Sequence, residues 1–160
     1  RTWAAKRAPV LVLDRIGNAH NLGAIARTAG FFGVGKIIIP SDPTAALPGE
    51  AAYRVAEGGL EAVEVFRVPD LVKFARELAA AGYEMLGAAT RGGRAGPLGP
   101  DAKSKPIALV LGNEEHGLAP EVAAACTRLV TIPNRGEVES LNVSVAAAVL
   151  MCEYVARHRQ

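Results

Sequence analysis

Three stretches of this 160-residue chain gather glycines and hydrogen-bonding side chains where an apolar run has just ended. "GNAHNLGAIARTAG" (17–30) offers Asn21 and Arg27. "LVLGNEEHGLAPE" (109–121) breaks at Gly112 and presents Asn113, Glu114 and Glu115 before Gly117. "TIPNRGEVESLNVS" (131–144) leaves Ile132 and Pro133, passes Gly136, and sets Ser140, Asn142 and Ser144 at the mouth of the apolar run 143–151. A loop with two glycines exposes bare backbone to a flat ligand such as an adenine ring. Amide, hydroxyl and carboxylate groups beside it suit a ligand rich in oxygen acceptors and donors.

Each residue also has a plainer use. Asn21 suits a helix cap, and so does Ser140 or Asn142. One cap, however, leaves two of the three polar groups before the final helix unexplained. At 100° per residue Arg27 lies roughly 140° round from the apolar stripe through Leu22 and Ala29, where a solvated arginine belongs. Gly23 and Gly30 flank it at minus four and plus three, so that face admits another backbone or a phosphate.

Several familiar chemistries fail. "GFFGVGK" (30–36) has the glycine–lysine spacing of a phosphate-binding loop, but Ile37 stands where a magnesium-binding Ser or Thr belongs, and the segment leaves a helix to enter a strand. The first turn has glycines at 17 and 23 only, so the dinucleotide fingerprint is absent. "EEH" (114–116) has no further ligands in reach of one ion, and no metal is expected. His20 and His158 have no paired nucleophile.

The elements that must position these residues alternate regularly. Short strands are expected at "VLVLD" (10–14), "KIIIP" (36–40), Val63–Val68, "YEMLGAA", "PIALVLG" and Leu129–Ile132. Helices are expected through Leu22–Ala29 to a stop at Gly33 and Gly35, around Gly49–Val55, from an Asp70 cap to Gly82, from Pro120, and from near Leu141. Strands alternating with helices imply an α/β domain, a parallel sheet covered on both faces. In such a sheet ligands bind at the C-terminal edge of the strands, where all three polar stretches fall. The segment "TRGGRAGPLGPDAKSKP" (90–106) carries Arg91, Arg94, Lys103 and Lys105 against Asp101, and reads as a solvated loop or a basic flap.

Composition sets bounds. A chain of this length makes one domain able to bury roughly 70% of its unfolded surface. Half the residues are hydrophobic but only 5% aromatic, so the core is built of Ala, Val, Leu and Ile. A net charge of +2 permits a nucleic-acid partner without requiring one. Cys126 and Cys152 have no zinc or redox spacing, and no apolar run reaches the ~18 residues of a membrane span. A cytoplasmic protein without membrane contact is expected, with residues 1–9 a basic lead-in and 10–160 the domain.

Taken together, "NLGAIARTA", "LVLGNEEHGL" and "IPNRGEVESLNVSVAAAV" resemble, in order, the three motifs of the SpoU (TrmH-like) RNA ribose methyltransferases of the SPOUT superfamily. The resemblance implies a SPOUT-type sheet whose C-terminal part threads a deep trefoil knot, a known exception to unknotted chains. It implies S-adenosylmethionine held by Thr90, Leu111, Gly112, Asn113, Gly117, Ile132, Pro133 and Leu141. It also implies a homodimer with its site at the interface, and methyl transfer to a ribose 2′-hydroxyl of tRNA or rRNA. Asn21, Arg27, Glu114, Ser140 and Asn142 are the implied catalytic set. Arginine keeps its proton below a pH of ~12, so phosphate binding and alkoxide stabilisation suit Arg27 better than base catalysis.

Two details depart from the family pattern: Asn134 after "IP", and "EEH" in the second motif. A counterpart of the family's frequent N-terminal RNA-recognition domain is not expected within these residues. The alternative is a catalytically silent knotted module that binds RNA or cofactor; presence of all five catalytic candidates favours the enzyme.

Overall fold

The computed structural model of the protein describes residues 2–95 and 105–157. Short runs of branched apolar residues with no polar alternation suit strands buried on both faces. The first, β1 (Val10–Leu13), meets that condition, with every residue at most 1% exposed. The others are β2 (Lys36–Pro40), β3 (Glu64–Val68), β4 (Glu84–Ala88), β5 (Arg94–Ala95), β6 (Ile107–Leu111) and β7 (Arg128–Thr131). They form one sheet in the order β3-β2-β1-β6-β4-β7-β5, and every pairing is parallel. All C-terminal strand ends therefore share one edge.

Alternate residues of each strand feed two separate cores. Leu11, Leu13, Ile37, Ile39, Leu109 and Leu111 face α2 (Ala19–Phe32), α3 (Glu50–Ala56), α4 (Gly59–Ala62) and α7 (Val143–Arg157). Val10, Val12, Ile38, Ala108 and Val110 face α5 (Leu71–Ala80) and α6 (Pro120–Ala125). Both faces are covered, as the sequence pattern requires. The short α1 (Thr2–Ala5) folds the expected lead-in onto the second face, where Trp3 lies 5.0 Å from the Phe66 ring and the Lys36 ammonium 4.9 Å from that of Trp3.

The connections are not sequential. After β4 the chain returns as β6 between β1 and β4, places β7 on the far side of β4, and then crosses back so that α7 packs on α2. The helix boundaries follow cap chemistry. Asp70 caps α5 by accepting from the Lys73 N–H at 2.8 Å, and Gly33, at φ 73°, ends α2. Asn21 is not the cap of α2: Asn18 is, accepting from the His20 and Asn21 N–H groups at 2.8 and 3.2 Å. The helix starts a turn earlier than the apolar stripe suggests, leaving the Asn21 side chain available. Of the expected basic flap, Asp101 and Lys103 lie outside the described residues, as does His158.

Candidate active site

At the C-terminal edge, β6 ends at Leu111 and the chain folds back on itself. A Cβ on Gly112 would sit 2.2 Å from the Gly117 carbonyl carbon and 2.3 Å from the Leu118 nitrogen, so only glycine allows this approach. Asn113 and Gly117 close the turn with two backbone hydrogen bonds of 2.9 Å, and the Asn113 side chain accepts from the Glu115 and His116 N–H groups. Gly112 is therefore required by its own loop, a stronger constraint than ligand clearance alone.

Glu114 projects from this turn toward the β1–α2 connection. One carboxylate oxygen accepts from the Asn21 amide at 3.1 Å and the Asn18 N–H at 3.2 Å; the other accepts from the Gly17 N–H at 3.2 Å. Burial pushes the carboxyl pKa up, but the hydrogen bonds from Asn21 and from backbone N–H groups outweigh it and hold it below its ordinary value. Asn21 in turn accepts from the Asn142 amide at 3.1 Å. Asn142 caps α7, its oxygen accepting from the Ser144 N–H at 2.8 Å and hydroxyl at 2.6 Å. Three segments far apart in sequence thus meet in one chain of hydrogen bonds, Glu114–Asn21–Asn142.

The cluster borders a cleft of ≈ 880 Å³, within the range of small-molecule sites. Thr90, Leu111, Gly112, Asn113, Gly117, Ile132, Pro133 and Leu141 all line it, together with Glu114, Ser140 and Asn142. Its walls combine apolar side chains, Leu111, Ile132 and Leu141 among them, with the polar groups of the 112–117 turn, a lining that could hold an adenosine moiety. Asn134 is a staple for the adjoining loop, donating to the Val138 carbonyl at 2.7 Å and accepting from the Gly136 N–H at 2.8 Å. Arg91 and Glu139 pair across the rim at 2.8 Å.

Arg27 stands apart. It is not among the cleft-lining residues, and its guanidinium pairs with Glu57 at 2.9 Å on the surface. The faces of the two flanking glycines are occupied by the chain's own helices: a Cβ on Gly23 would lie 2.3 Å from the Ala52 carbonyl oxygen, and one on Gly30 3.2 Å from the Ala62 Cβ, while a Cβ on Gly59 of α4 would lie 2.4 Å from the Arg27 Cα. The close approach expected on that face is real, but α3 and α4 make it rather than a phosphate. Among the described residues no group of three or more His, Cys, Asp and Glu side chains is placed to hold a metal.

Sequence reasoning missed Asn18, the Gly17 amide and Asp14. In the sequence Asp14 is simply the end of the strand expected at 10–14. It is the one buried polar or charged residue among those described, 2% exposed. A charge placed directly after four buried apolar residues was the available signal.

A sequence model of the family described as "SpoU rRNA Methylase family" matches residues 8–152. A "23S rRNA (guanosine-2'-O-)-methyltransferase RlmB" of Nitrosomonas europaea is 37% identical over 153 residues, covering 96% of this chain and 58% of the relative. Among solved structures, an AdoMet-bound rRNA methyltransferase from Sinorhizobium meliloti superposes with a TM-score of 0.83 at 31% identity, covering 95% of this chain and 57% of that one. The SpoU methyltransferase AviRb from Streptomyces viridochromogenes, in complex with AdoMet, gives 0.82 at 26% identity, with 95% and 60% covered. The chain spans about three-fifths of the length of the relatives it matches.

Proposed function

The chain belongs to the SpoU rRNA methylase family, and on that premise we propose that it is the catalytic domain of an S-adenosylmethionine-dependent RNA 2′-O-methyltransferase. The observation that carries the reading is the Glu114–Asn21–Asn142 cluster at the border of a cleft lined by all eight cofactor candidates. When bound, S-adenosylmethionine supplies the methyl group. The backbone of Leu111, Gly112 and Ile132, with Leu141 and Thr90, holds the adenosine end.

The chain's own residues orient the ribose. Glu114 stays ionised and fixes the rotamer of Asn21, which fixes Asn142. Each amide nitrogen keeps a second N–H beyond the one used in the cluster, and with the Ser140 hydroxyl these are donors for a ribose oxygen. No neutral-pH base stands in the cluster, so rate enhancement rests on positioning and charge. Arg27 is assigned to the RNA phosphate and the developing alkoxide.

Its distance from its own cleft is consistent with a homodimer whose site is completed at the interface. Exposed apolar residues on α7, Val145 and Val149, support a second copy covering that helix. The route of the chain through β6, β7 and α7 supports the trefoil knot of the SPOUT fold. The relatives' names make ribosomal RNA the substrate to test first, with tRNA second. Calorimetry with S-adenosylmethionine tests the reading: micromolar binding is expected, and absence of binding by folded protein contradicts it.

A further inference from the structure

A buried carboxylate needs a reason, because an ionised group out of water is costly unless fully hydrogen-bonded and paired. Asp14 has both. One oxygen accepts from the Arg15 Nε at 2.9 Å; the other accepts from the Ala119 N–H at 2.7 Å and the second Arg15 nitrogen at 3.3 Å. Its own N–H donates to the Leu111 carbonyl at 2.8 Å, immediately before Gly112. Ala119 is the residue from which α6 begins. Asp14 therefore grips both ends of the 112–118 loop, at its entry from β6 and its exit into α6.

The next residue strengthens the hold. Arg15 has a left-handed backbone, φ 55°, unusual for a side-chain-bearing residue. That conformation carries its carbonyl to the Asn113 amide at 2.8 Å, while its guanidinium turns back to Asp14. Gly17 and Asn18 then donate to Glu114. The segment 14–18 is thus tied to 111–119 at several successive points, and the loop so held supplies Leu111, Gly112, Asn113 and Gly117 to the cleft. Asp14 itself is not among the cleft-lining residues.

Resting on the functional reading above, we propose that Asp14 is a positioning residue for cofactor binding: it sets the loop backbone that receives the adenosine, and it acts on cofactor affinity rather than on the RNA-side step. Asp14→Ala removes the Ala119 acceptor and leaves Arg15 unpaired. Asp14→Asn keeps one acceptor oxygen and the shape but not the charge. Leu60→Ala, a core truncation in α4 on the sheet face away from α6 and outside the cleft lining, serves as a control for stability lost elsewhere.

The experiment measures the Kd for S-adenosylhomocysteine by calorimetry, and KM and kcat for methyl transfer, in the full-length protein. Asp14→Ala is expected to weaken binding at least tenfold and to raise the cofactor KM by a similar factor, with kcat at saturation within threefold of wild type. Asp14→Asn, the variant that keeps the fold if Ala does not, is expected to show the same split at no less than threefold in Kd. Leu60→Ala is expected to lower Tm with Kd unchanged. If wild type binds and both Asp14 variants bind within twofold of it, Asp14 is merely structural and the proposal is overturned. If kcat falls while KM holds, it is overturned as well. Failure of wild type to bind overturns the functional reading itself, a distinguishable result.

Discussion

The Glu114 carboxylate accepts one side-chain and two backbone N–H groups from the β1–α2 segment, and its pKa lies below the ordinary 4.5 because those bonds outweigh burial. A carboxyl whose folded pKa is depressed contributes stability that is fully present above its unfolded pKa and is lost as pH falls through the folded one. Thermal melts from pH 7 to pH 3 should therefore show a steeper fall in Tm for wild type than for Glu114→Gln, the curves parting below about 4.5. Parallel curves would mean that the carboxylate is not held as described. At pH 7 Glu114→Gln should turn an amide N–H toward an N–H donor, costing about 1–3 kcal/mol and disordering Asn21. Cys126 gives a second pH-linked expectation. Burial, and secondarily Asp14, push its thiol up to about 11. At pH 8 it should react with a thiol reagent only after denaturation.

At the scale of elements, the strands were legible because burial on both faces leaves a run of branched apolar residues, and β2 spans the expected 36–40. The short α1, α4 and β5 were not, since two to four residues carry no period. The start of α2 was misplaced for a specific reason. Asn18 and Asn21 are both competent caps, and only the fold, by bringing Glu114 to Asn21, decides which is used. Most of the cleft was legible through its motifs, whereas the role of Asp14 depends on an N–H 105 residues away, which no local pattern reveals. Helix packing makes its own prediction. Gly23→Ala would press a methyl toward the Ala52 carbonyl in α3, so a loss of about 1–3 kcal/mol by urea unfolding is expected. An unchanged midpoint would show that α2 and α3 are less closely packed. Asn142→Ala should cost about 1 kcal/mol as a lost cap and, separately, reduce methyl transfer through Asn21.

For the molecule as a whole, the sheet gathers three strand ends, β6, β4 and β7, around one cleft, while Arg27 remains outside it. A second subunit, as proposed above, would resolve that separation, and the outward face of α7 is where it is sought. Val149→Arg should convert a dimer to a monomer in sedimentation and abolish transfer while leaving the fold intact; a dimer unaffected by the change would place the interface elsewhere. The most direct test of the account is methyl transfer itself. Full-length protein is incubated with labelled S-adenosylmethionine and ribosomal RNA, with tRNA as a second substrate, from a strain lacking the gene, and the nucleosides are resolved by mass spectrometry. The account predicts one 2′-O-methylated nucleoside with wild type and at least a hundredfold less with Asn21→Ala or Arg27→Ala, cofactor binding by Arg27→Ala remaining near normal. Wild-type protein that binds the cofactor and methylates neither RNA, or wild-type rates in both variants, would contradict it.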